Sequence, residues 1–185
     1  MFLSSNGSSF TESSSNGKYD DRNMHYLGRE YRYYGRWNEA IDTLIKHLNL
    51  KKATWKDERC ASMRFISRCY INLNRFEEAD LWLNKAINEA PYLREPYIEM
   101  ALLKSKLNEY EDVIKYSLKA LELKEDNMTY IKESFSNNKT IYDLLSLGYY
   151  YTNDKEKALI YIDKALKLDP TDDRLLVNKT LMESL

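Results

Sequence analysis

The stretch that decides the fold occurs twice: residues 63–91 read MRFISRCYINLNRFEEADLWLNKAINEAP, and residues 142–170 read YDLLSLGYYYTNDKEKALIYIDKALKLDP. Both have apolar residues at helical spacing, a polar break near the middle and a terminal proline. Proline cannot continue a helix. Each stretch therefore predicts a pair of helices, and the second helix of each pair ends before Pro91 or Pro170.

The second half of this pattern recurs four times along the chain. The four segments are RWNEAIDTLIKHLNL (36–50), RFEEADLWLNKAINEAP (75–91), EYEDVIKYSLKALEL (109–123) and DKEKALIYIDKALKLDP (154–170). Each carries a small residue at the same place, and these anchors, Ala40, Ala79, Val113 and Ala158, are 39, 34 and 45 residues apart. A 34-residue unit with insertions of five and eleven residues accounts for all three spacings.

The residues around these anchors carry the signature of a known repeat. The matching residues are Met63, Ile66, Ser67, Tyr70, Ala79, Leu83, Ala86 and Pro91 in one unit, and Tyr142, Leu145, Ser146, Tyr149, Ala158, Ile162, Ala165 and Pro170 in another. The other two units match in part: His47 replaces a small residue in the first, and Lys104 and Ser117 depart from the pattern in the third. The chain thus resembles the tetratricopeptide repeat family.

The resemblance implies an all-α, right-handed helical solenoid of about four helix-turn-helix repeats plus a C-terminal capping helix. The repeats are predicted at residues 21–54, 60–93, 94–127 and 139–172, with an insertion at 128–138 and a cap at 173–185, in a domain spanning residues 19–185. Small residues such as Gly28 and Ser67 are expected where the two helices of a repeat cross closely. Residues 1–18 are Ser-rich and aperiodic, which predicts a disordered linker or an expression-derived segment.

Two helix starts are also predicted from local sequence. Thr54 and Asp57 have the spacing of a capping box, which predicts a lengthened helix running to about Asn72. In the DPTDD sequence of residues 169–173, an aspartate is expected to cap the last helix. That helix is predicted to pack on the preceding repeat through three leucines, Leu175, Leu176 and Leu181.

Composition excludes several classes of function. The net charge is −1, so the strongly basic surface of a general nucleic-acid binder is not expected. Charged residues make up 31% of the chain and the mean hydropathy is −0.66, so no membrane span is expected. Cys60 and Cys69 are predicted to be free thiols, and the N-terminus has no signal-peptide pattern. These features predict a cytoplasmic protein.

Residues that could carry catalysis are scarce. His25 and His47 fall on different predicted helices with no cysteine or carboxylate at ligand spacing, so they are interpreted as structural rather than metal-binding. No Gly-rich phosphate loop and no nucleophile with a plausible base is present. We therefore predict no catalytic residues, no metal site and no cofactor.

Binding along a groove is the better prediction, because the first helices of a tetratricopeptide array line a concave face. The expected groove positions are Arg22, His25, Tyr26, Arg29, Arg32, Tyr33, Arg64, Phe65, Arg68, Asn72, Glu95, Ile98, Glu99, Asp143, Leu147, Tyr150 and Tyr151. From these, nine are predicted to form the binding surface: Tyr26, Arg29, Tyr33, Arg64, Phe65, Arg68, Glu95, Glu99 and Tyr150. The groove would be basic and aromatic at its N-terminal end and acidic beyond.

Two interpretations of the central charges remain open. Arg64 and Arg68 have the same four-residue spacing as Glu95 and Glu99 on the neighbouring first helix, so the four could pair across a repeat boundary. Alternatively, the arginines line a groove for a carboxylate-bearing peptide or a phosphorylated ligand. The pattern differs from the Lys/Asn carboxylate clamp of chaperone-binding tetratricopeptide proteins.

A finer resemblance concerns one subgroup of the family. The strings YLGREYRYYGRWNEAIDTL, WKDERCASMRFISRCY, KAINEAPYLREPYIEMALL, TYIKESF, YDLLSLGYYY and LDPTDDRLLVN resemble the helical region that follows the catalytic domain of bacterial and phage family-2 glycosyltransferases. That resemblance implies an accessory interaction or oligomerisation module without catalytic residues of its own. Its implied partners are a protein or peptide, a second copy of the chain, or a glycosyltransferase catalytic domain. The alternative is a free-standing adaptor that binds a peptide or acidic ligand in its groove.

Overall fold

The computed structural model describes residues 21–123, Glu133 and residues 138–184, which form nine α-helices and no β-strand. The helices are α1 (Asp21–Tyr33), α2 (Trp37–Asn49), α3 (Lys56–Asn72), α4 (Phe76–Glu89), α5 (Glu95–Lys106), α6 (Tyr110–Glu122), α7 (Asn138–Tyr151), α8 (Lys155–Leu168) and α9 (Asp173–Glu183). The linker expected at residues 1–18 and most of the insertion expected at residues 128–138 lie outside the described residues.

The helices form four successive pairs and a final single helix. Each helix packs mainly on its neighbours in the chain, and α9 packs on α8. The first helices of adjacent repeats (α1, α3, α5 and α7) also contact one another, whereas the second helices of adjacent repeats lie farther apart. The array therefore curves with the first helices inside. We call the surface formed by α1, α3, α5 and α7 the first-helix face. The predicted all-α helical repeat is confirmed.

Small residues lie where the two helices of a repeat cross. A Cβ atom added to Gly28 on α1 would stand 2.5 Å from Leu44 Cγ on α2, so no larger residue fits without displacement. Ser67 on α3 donates a hydrogen bond from its Oγ to the carbonyl of Ala79 on α4 at 2.9 Å. The expected close crossing is confirmed at both places, and it lets each pair bury its facing apolar side chains.

The turns inside the four repeats share one backbone conformation. Gly35, Asn74, Asn108 and Asn153 have φ angles of 71°, 56°, 61° and 62°. Each residue precedes the small anchor of its repeat by five positions. Asparagine is the residue after glycine that best tolerates this left-handed region, so the sequence already contains the turn chemistry that each repeat needs.

The helix ends confirm two local predictions and correct one. The lengthened helix α3 ends at Asn72, as predicted. Asp172 caps α9, because its carboxylate accepts hydrogen bonds from the backbone N–H groups of Arg174 and Leu175. Thr54 does not cap α3: that helix begins after Trp55 and has no side-chain cap. The capping-box prediction was therefore wrong, since the carboxylate of Asp57 instead accepts a hydrogen bond from the Tyr92 hydroxyl at 2.7 Å.

The capping helix packs through fewer leucines than predicted. Leu175 is fully buried, as expected, and Met182 is its buried partner on the same helix. Leu176 and Leu181 were also expected to face the preceding repeat, but both are exposed. Met182 follows Leu175 by seven positions, about two helical turns, so these two lie on one narrow stripe, and the rest of the helix faces away from α8.

Candidate functional site

The first-helix face begins on α1 with three of the predicted site residues. The guanidinium of Arg29 lies 5.0 Å from the ring centre of half-buried Tyr26, a distance at which cation–π attraction operates. Tyr33, the last residue of α1, is 78% exposed. The N-terminal end of the array therefore presents an accessible basic and aromatic surface.

At the boundary between the second and third repeats, arginines of α3 pair with a carboxylate of α5. Arg64 Nε donates to Glu99 Oε1 at 2.5 Å. Arg68 approaches the same carboxylate with two donors, at 3.0 Å from Nε to Oε2 and at 2.8 Å from Nη2 to Oε1. The interpretation that these charges pair across a repeat boundary is thus confirmed for Glu99.

Several of the predicted groove residues are buried. Arg64 is 1% exposed, and Phe65, Glu95 and Glu99 are buried as well. Arg64 and Glu99 join α3 to α5, whereas Phe65 packs in the core shared with α2 and stacks on His25 of α1. Arg68 remains half-buried and partly accessible.

A second carboxylate reaches the same arginines. Glu133 Oε1 accepts a hydrogen bond from Arg68 Nη2 at 2.9 Å and lies 3.4 Å from Arg64 Nη2. The Glu133 side chain is 28% exposed, far more than that of Glu99. Sequence reasoning missed this residue, because its position in the TYIKESF string gives no periodic signal that would place it against α3.

Arg32 of α1 completes the group. Its guanidinium lies 4.8 Å from the ring centre of Phe65, and that of Arg68 lies 5.4 Å from the same ring. The Nε of Arg32 is buried without a hydrogen-bond partner among the described residues. We call Arg32, Arg64 and Arg68 the arginine cluster. Among the described residues, Glu99 and Glu133 accept hydrogen bonds from Arg64 and Arg68, and neither carboxylate bonds to Arg32 Nε.

The pKa shifts follow from this charge distribution. Burial would raise the pKa of Glu99, but the charges of Arg64 and Arg68 outweigh it and lower that pKa below the ordinary value. Burial and the neighbouring charge of Arg68 lower the pKa of Arg32. The surroundings of Arg32 therefore disfavour its charged form relative to an exposed arginine.

Tyr150, the last predicted site residue, lies near the far end of the first-helix face. It is half-buried on α7, and its ring meets that of Tyr151 edge to face with centroids 5.1 Å apart. Tyr151 in turn stacks on Tyr110 at 4.1 Å. None of these contacts joins Tyr150 to the arginine cluster.

The two histidines form a buried polar chain that sequence reasoning did not foresee. Ser62 Oγ lies 2.7 Å from His25 Nδ1 and 2.9 Å from His47 Nδ1, and His47 Nε2 lies 3.3 Å from Glu58 Oε1. All four side chains are buried. Burial, with smaller contributions from the charges of His47, Arg29 and Arg64, lowers the pKa of His25 to about 3. These polar contacts therefore link α1, α2 and α3 while His25 stays neutral.

Groups suited to metal binding or nucleophilic chemistry are not assembled in the part of the chain that the structure describes. No three His, Cys, Asp or Glu side chains there are arranged to hold a metal ion. Cys60 and Cys69 are free and buried. Burial raises the pKa of Cys60 to about 12 and that of Cys69 to about 11, so both thiols stay protonated at neutral pH. None of the helices in the described ranges has the length and hydrophobicity needed to cross a bilayer.

The curved array with charged and aromatic residues on its inner helices defines the class: a helical-repeat protein of the solenoid type. Sequence models of the tetratricopeptide repeat match residues 65–92, 95–127 and 140–172, just over half of the chain. The chain therefore belongs to the tetratricopeptide repeat family. A comparison with curated protein sequences gave no match.

Solved structures of similar fold include those of three proteins. YrrB, described as a tetratricopeptide protein with an unusual peptide-binding site, is 15% identical with a TM-score of 0.72, over 95% of this chain and 82% of its own. MamA is 18% identical with a TM-score of 0.67, over 85% of this chain and 83% of its own. PilF of Pseudomonas aeruginosa is 15% identical with a TM-score of 0.68, over 95% of this chain and 71% of its own. At these identities the likeness establishes the fold.

Proposed function

We propose that this chain is a non-catalytic protein-interaction module that binds an acidic segment of a partner protein on its first-helix face. The observation that carries the proposal is the position of Arg32 on the first-helix face, beside the ring of Phe65. Its buried Nε has no hydrogen-bond partner among the described residues. An arginine beside an aromatic ring is a good receptor for a carboxylate, because its planar fork offers parallel donors to both oxygens.

The surroundings of Arg32 support a peptide rather than an isolated anion as the ligand. Tyr26, Arg29 and Tyr33 lie on the same helix, and they offer further aromatic and cationic contacts. Aromatic and arginine residues contribute most to binding at protein interfaces. The peptide-binding site of YrrB, which has a similar fold, is in keeping with this choice.

Fluorescence anisotropy with short labelled peptides tests the proposal. The probe is a Glu/Asp-rich peptide, and its comparison peptide has Gln and Asn at the same positions. We expect the acidic peptide to bind more tightly, and Arg32→Gln to weaken that binding about tenfold, since a charge-assisted hydrogen bond contributes about 1.5 kcal/mol or more.

Arg36→Gln is the matched control for this experiment. Arg36 is an exposed arginine in the turn after α1. It pairs with Glu39 of α2 and is not part of the arginine cluster. We expect it to leave the affinity unchanged. Equal binding of the acidic and neutral peptides, or equal loss in the two variants, would contradict the proposal.

The larger context that we propose is an accessory region of a family-2 glycosyltransferase from a bacterium or phage, located in the cytoplasm. The resemblance of the strings from YLGREYRYYGRWNEAIDTL to LDPTDDRLLVN to such proteins motivates it. An immunoblot of source cells with an antibody against this chain tests it. A band heavier than 22.0 kDa by a whole domain agrees with the proposal. A band at the mass of this chain favours the free-standing adaptor.

Two further measurements test whether the chain catalyses sugar transfer and whether it associates with itself. We expect no sugar transfer when the purified chain is incubated with nucleotide sugars and acceptors, and turnover would contradict the non-catalytic role. Light scattering distinguishes partner binding from oligomerisation, because a second copy as partner would double the mass in solution.

A further inference from the structure

The last helix, α9, occupies the place of a first helix in a fifth repeat. Leu175 follows Ile141 of α7 by 34 positions, the length of the repeat unit, and both side chains are buried against the preceding repeat. Among the described residues α9 has no second helix of its own, and it packs mainly on α8. The side of α9 that a second helix would cover is therefore open.

In the fourth repeat, the corresponding side of α7 is covered by α8. The ring centres of Tyr142 on α7 and Tyr161 on α8 lie 6.2 Å apart, and Ser146 is fully buried. Leu176 and Thr180 follow Tyr142 and Ser146 by 34 positions, yet both are exposed. The helix that covers this side in each repeat is antiparallel to the first, because a turn of three residues joins the two. What α9 lacks is thus an antiparallel helix.

The open side of α9 is apolar, and the helix carries no net charge. Leu176, Val177 and Leu181 are 44%, 59% and 53% exposed, and they lie within two helical turns. We call these three residues the α9 stripe. The charged residues of the helix are two acidic and two basic ones, namely Asp173, Glu183, Arg174 and Lys179. This balance does not favour a strongly charged partner, whereas an apolar side of an equally short, uncharged helix suits the stripe.

We propose that α9 is a self-association helix, and that two copies of the chain pair through antiparallel α9 helices. The α9 helix of a second copy supplies the direction, the length and the apolar side that the open surface lacks. A two-fold axis near the middle of the stripe places Leu176 and Val177 of one copy at the level of Leu181 of the other, so each copy covers the stripe of its partner. Three apolar side chains from each copy form a small interface, which predicts a weak dimer whose population depends on concentration.

This pairing leaves the surface of the proposed function accessible in both copies. Arg32 lies on α1, at the opposite end of the array from α9. A dimer therefore presents two first-helix faces. A partner with two acidic segments would bind it more tightly than it binds a single chain, because the second contact forms at a high effective concentration.

Size-exclusion chromatography with light scattering, over a range of protein concentrations, tests the proposal on the complete chain. The mass should rise from 22.0 kDa toward twice this value as the concentration increases. Leu181→Glu places a charge in the stripe, and we expect it to weaken self-association about tenfold or more, since a charge is costly to remove from water. Val177→Glu, at a second position of the stripe, should act in the same way.

Leu81→Glu is the matched control. Leu81 lies on α4 and is 53% exposed, the same fraction as Leu181, so the two substitutions change net charge and surface hydrophobicity alike. We expect it to leave self-association unchanged. Far-UV circular dichroism of each variant establishes that the helices are intact.

A cysteine near the expected axis tests the two-fold arrangement. Thr180→Cys should form an intermolecular disulfide under mild oxidation, because residues beside a two-fold axis lie close to their own counterparts. Leu81→Cys, far from the axis, should stay reduced. The natural cysteines Cys60 and Cys69 are buried, so they should not cross-link the copies.

The outcomes are distinct. A concentration-dependent dimer that Leu181→Glu weakens and Leu81→Glu does not supports the proposal. The mass of one chain at every concentration overturns it, and so does a dimer that responds equally to the two variants. An assembly that grows beyond two copies would overturn the two-fold pairing, because a closed dimer leaves no stripe open.

Discussion

The buried histidine of α1 gives a prediction whose size follows from the structure. His25 is 2% exposed, its Nδ1 lies 2.7 Å from Ser62 Oγ, and its ring stacks on that of Phe65. Burial lowers the pKa of His25 from 6.5 to about 3, with help from the charges of His47, Arg29 and Arg64. The folded protein therefore keeps this imidazole neutral over most of the acidic range.

The sign of the pH effect follows from proton binding. Between the folded pKa of about 3 and the unfolded value of 6.5, the unfolded state binds a proton at His25 and the folded state does not. The free energy of unfolding therefore falls as the pH falls below 6.5, and it is unaffected above that value. At about pH 5 the loss from His25 alone is about 2 kcal/mol relative to about pH 8.

Urea unfolding followed by far-UV circular dichroism measures this loss at about pH 8 and about pH 5. The comparison variant is His25→Asn, whose amide can still reach Ser62 but does not titrate. Groups that do not interact with His25 cancel between the two proteins, so the difference between their pH-dependent losses reports His25 together with its coupling to His47. We expect the variant to lose about 2 kcal/mol less than the original protein. Equal losses would refute the assignment of a neutral, buried His25.

Three further predictions concern stability. Asn108→Ala should lower the free energy of unfolding by about 1 kcal/mol, because φ at this turn is 61° and alanine disfavours that region. Asn108→Gly should be nearly neutral in the same urea titration, and equal losses in both variants would count against the turn argument. Gly28→Ala should cost about 1–3 kcal/mol, since its Cβ would stand 2.5 Å from Leu44 Cγ; an unchanged melting temperature would show that the crossing is looser. Glu99→Gln should cost about 3–5 kcal/mol, because it leaves the fully buried Arg64 without its closest carboxylate. A loss below about 1 kcal/mol, measured by denaturant unfolding, would mean that the pair is not stabilising.

The fold could be predicted from the sequence because its constraints are local and repeated. The anchors Ala40, Ala79, Val113 and Ala158 mark the same position in each repeat, and all four are fully buried. The turn residues keep the same spacing, from Gly35 to Asn153. In a solenoid each unit contacts only its neighbours, so a pattern read in one unit holds for the next.

The errors arose where a side chain had two possible partners. Thr54 has the capping-box spacing, yet the carboxylate of Asp57 accepts a hydrogen bond from Tyr92 in the connection between α4 and α5. Leu176 and Leu181 have helical spacing, but a last helix meets only one neighbour, and its buried stripe is accordingly narrow. Spacing within a helix does not reveal which face a single neighbour will cover.

The site was only partly predictable for a related reason. The pairing of Arg64 and Arg68 with Glu99 could be foreseen, because the residues share a four-residue spacing on adjacent first helices. The contact between His25 and Ser62 joins residues 37 positions apart, and the hydrogen bond from Arg68 to Glu133 joins residues 65 positions apart. Neither contact follows a repeat period, so the sequence pattern gives no indication of them.

The most direct measurement of the central claim is a nuclear magnetic resonance titration that observes the arginine side chains. The Nε–H resonance of Arg32 reports the group that we expect a partner carboxylate to bind, and that of Arg75, which already donates to Glu78 at 2.7 Å, is the internal reference. On addition of the acidic peptide, we predict a saturable shift at Arg32 and none at Arg75. An unchanged Arg32 resonance with binding elsewhere on the chain would contradict the account.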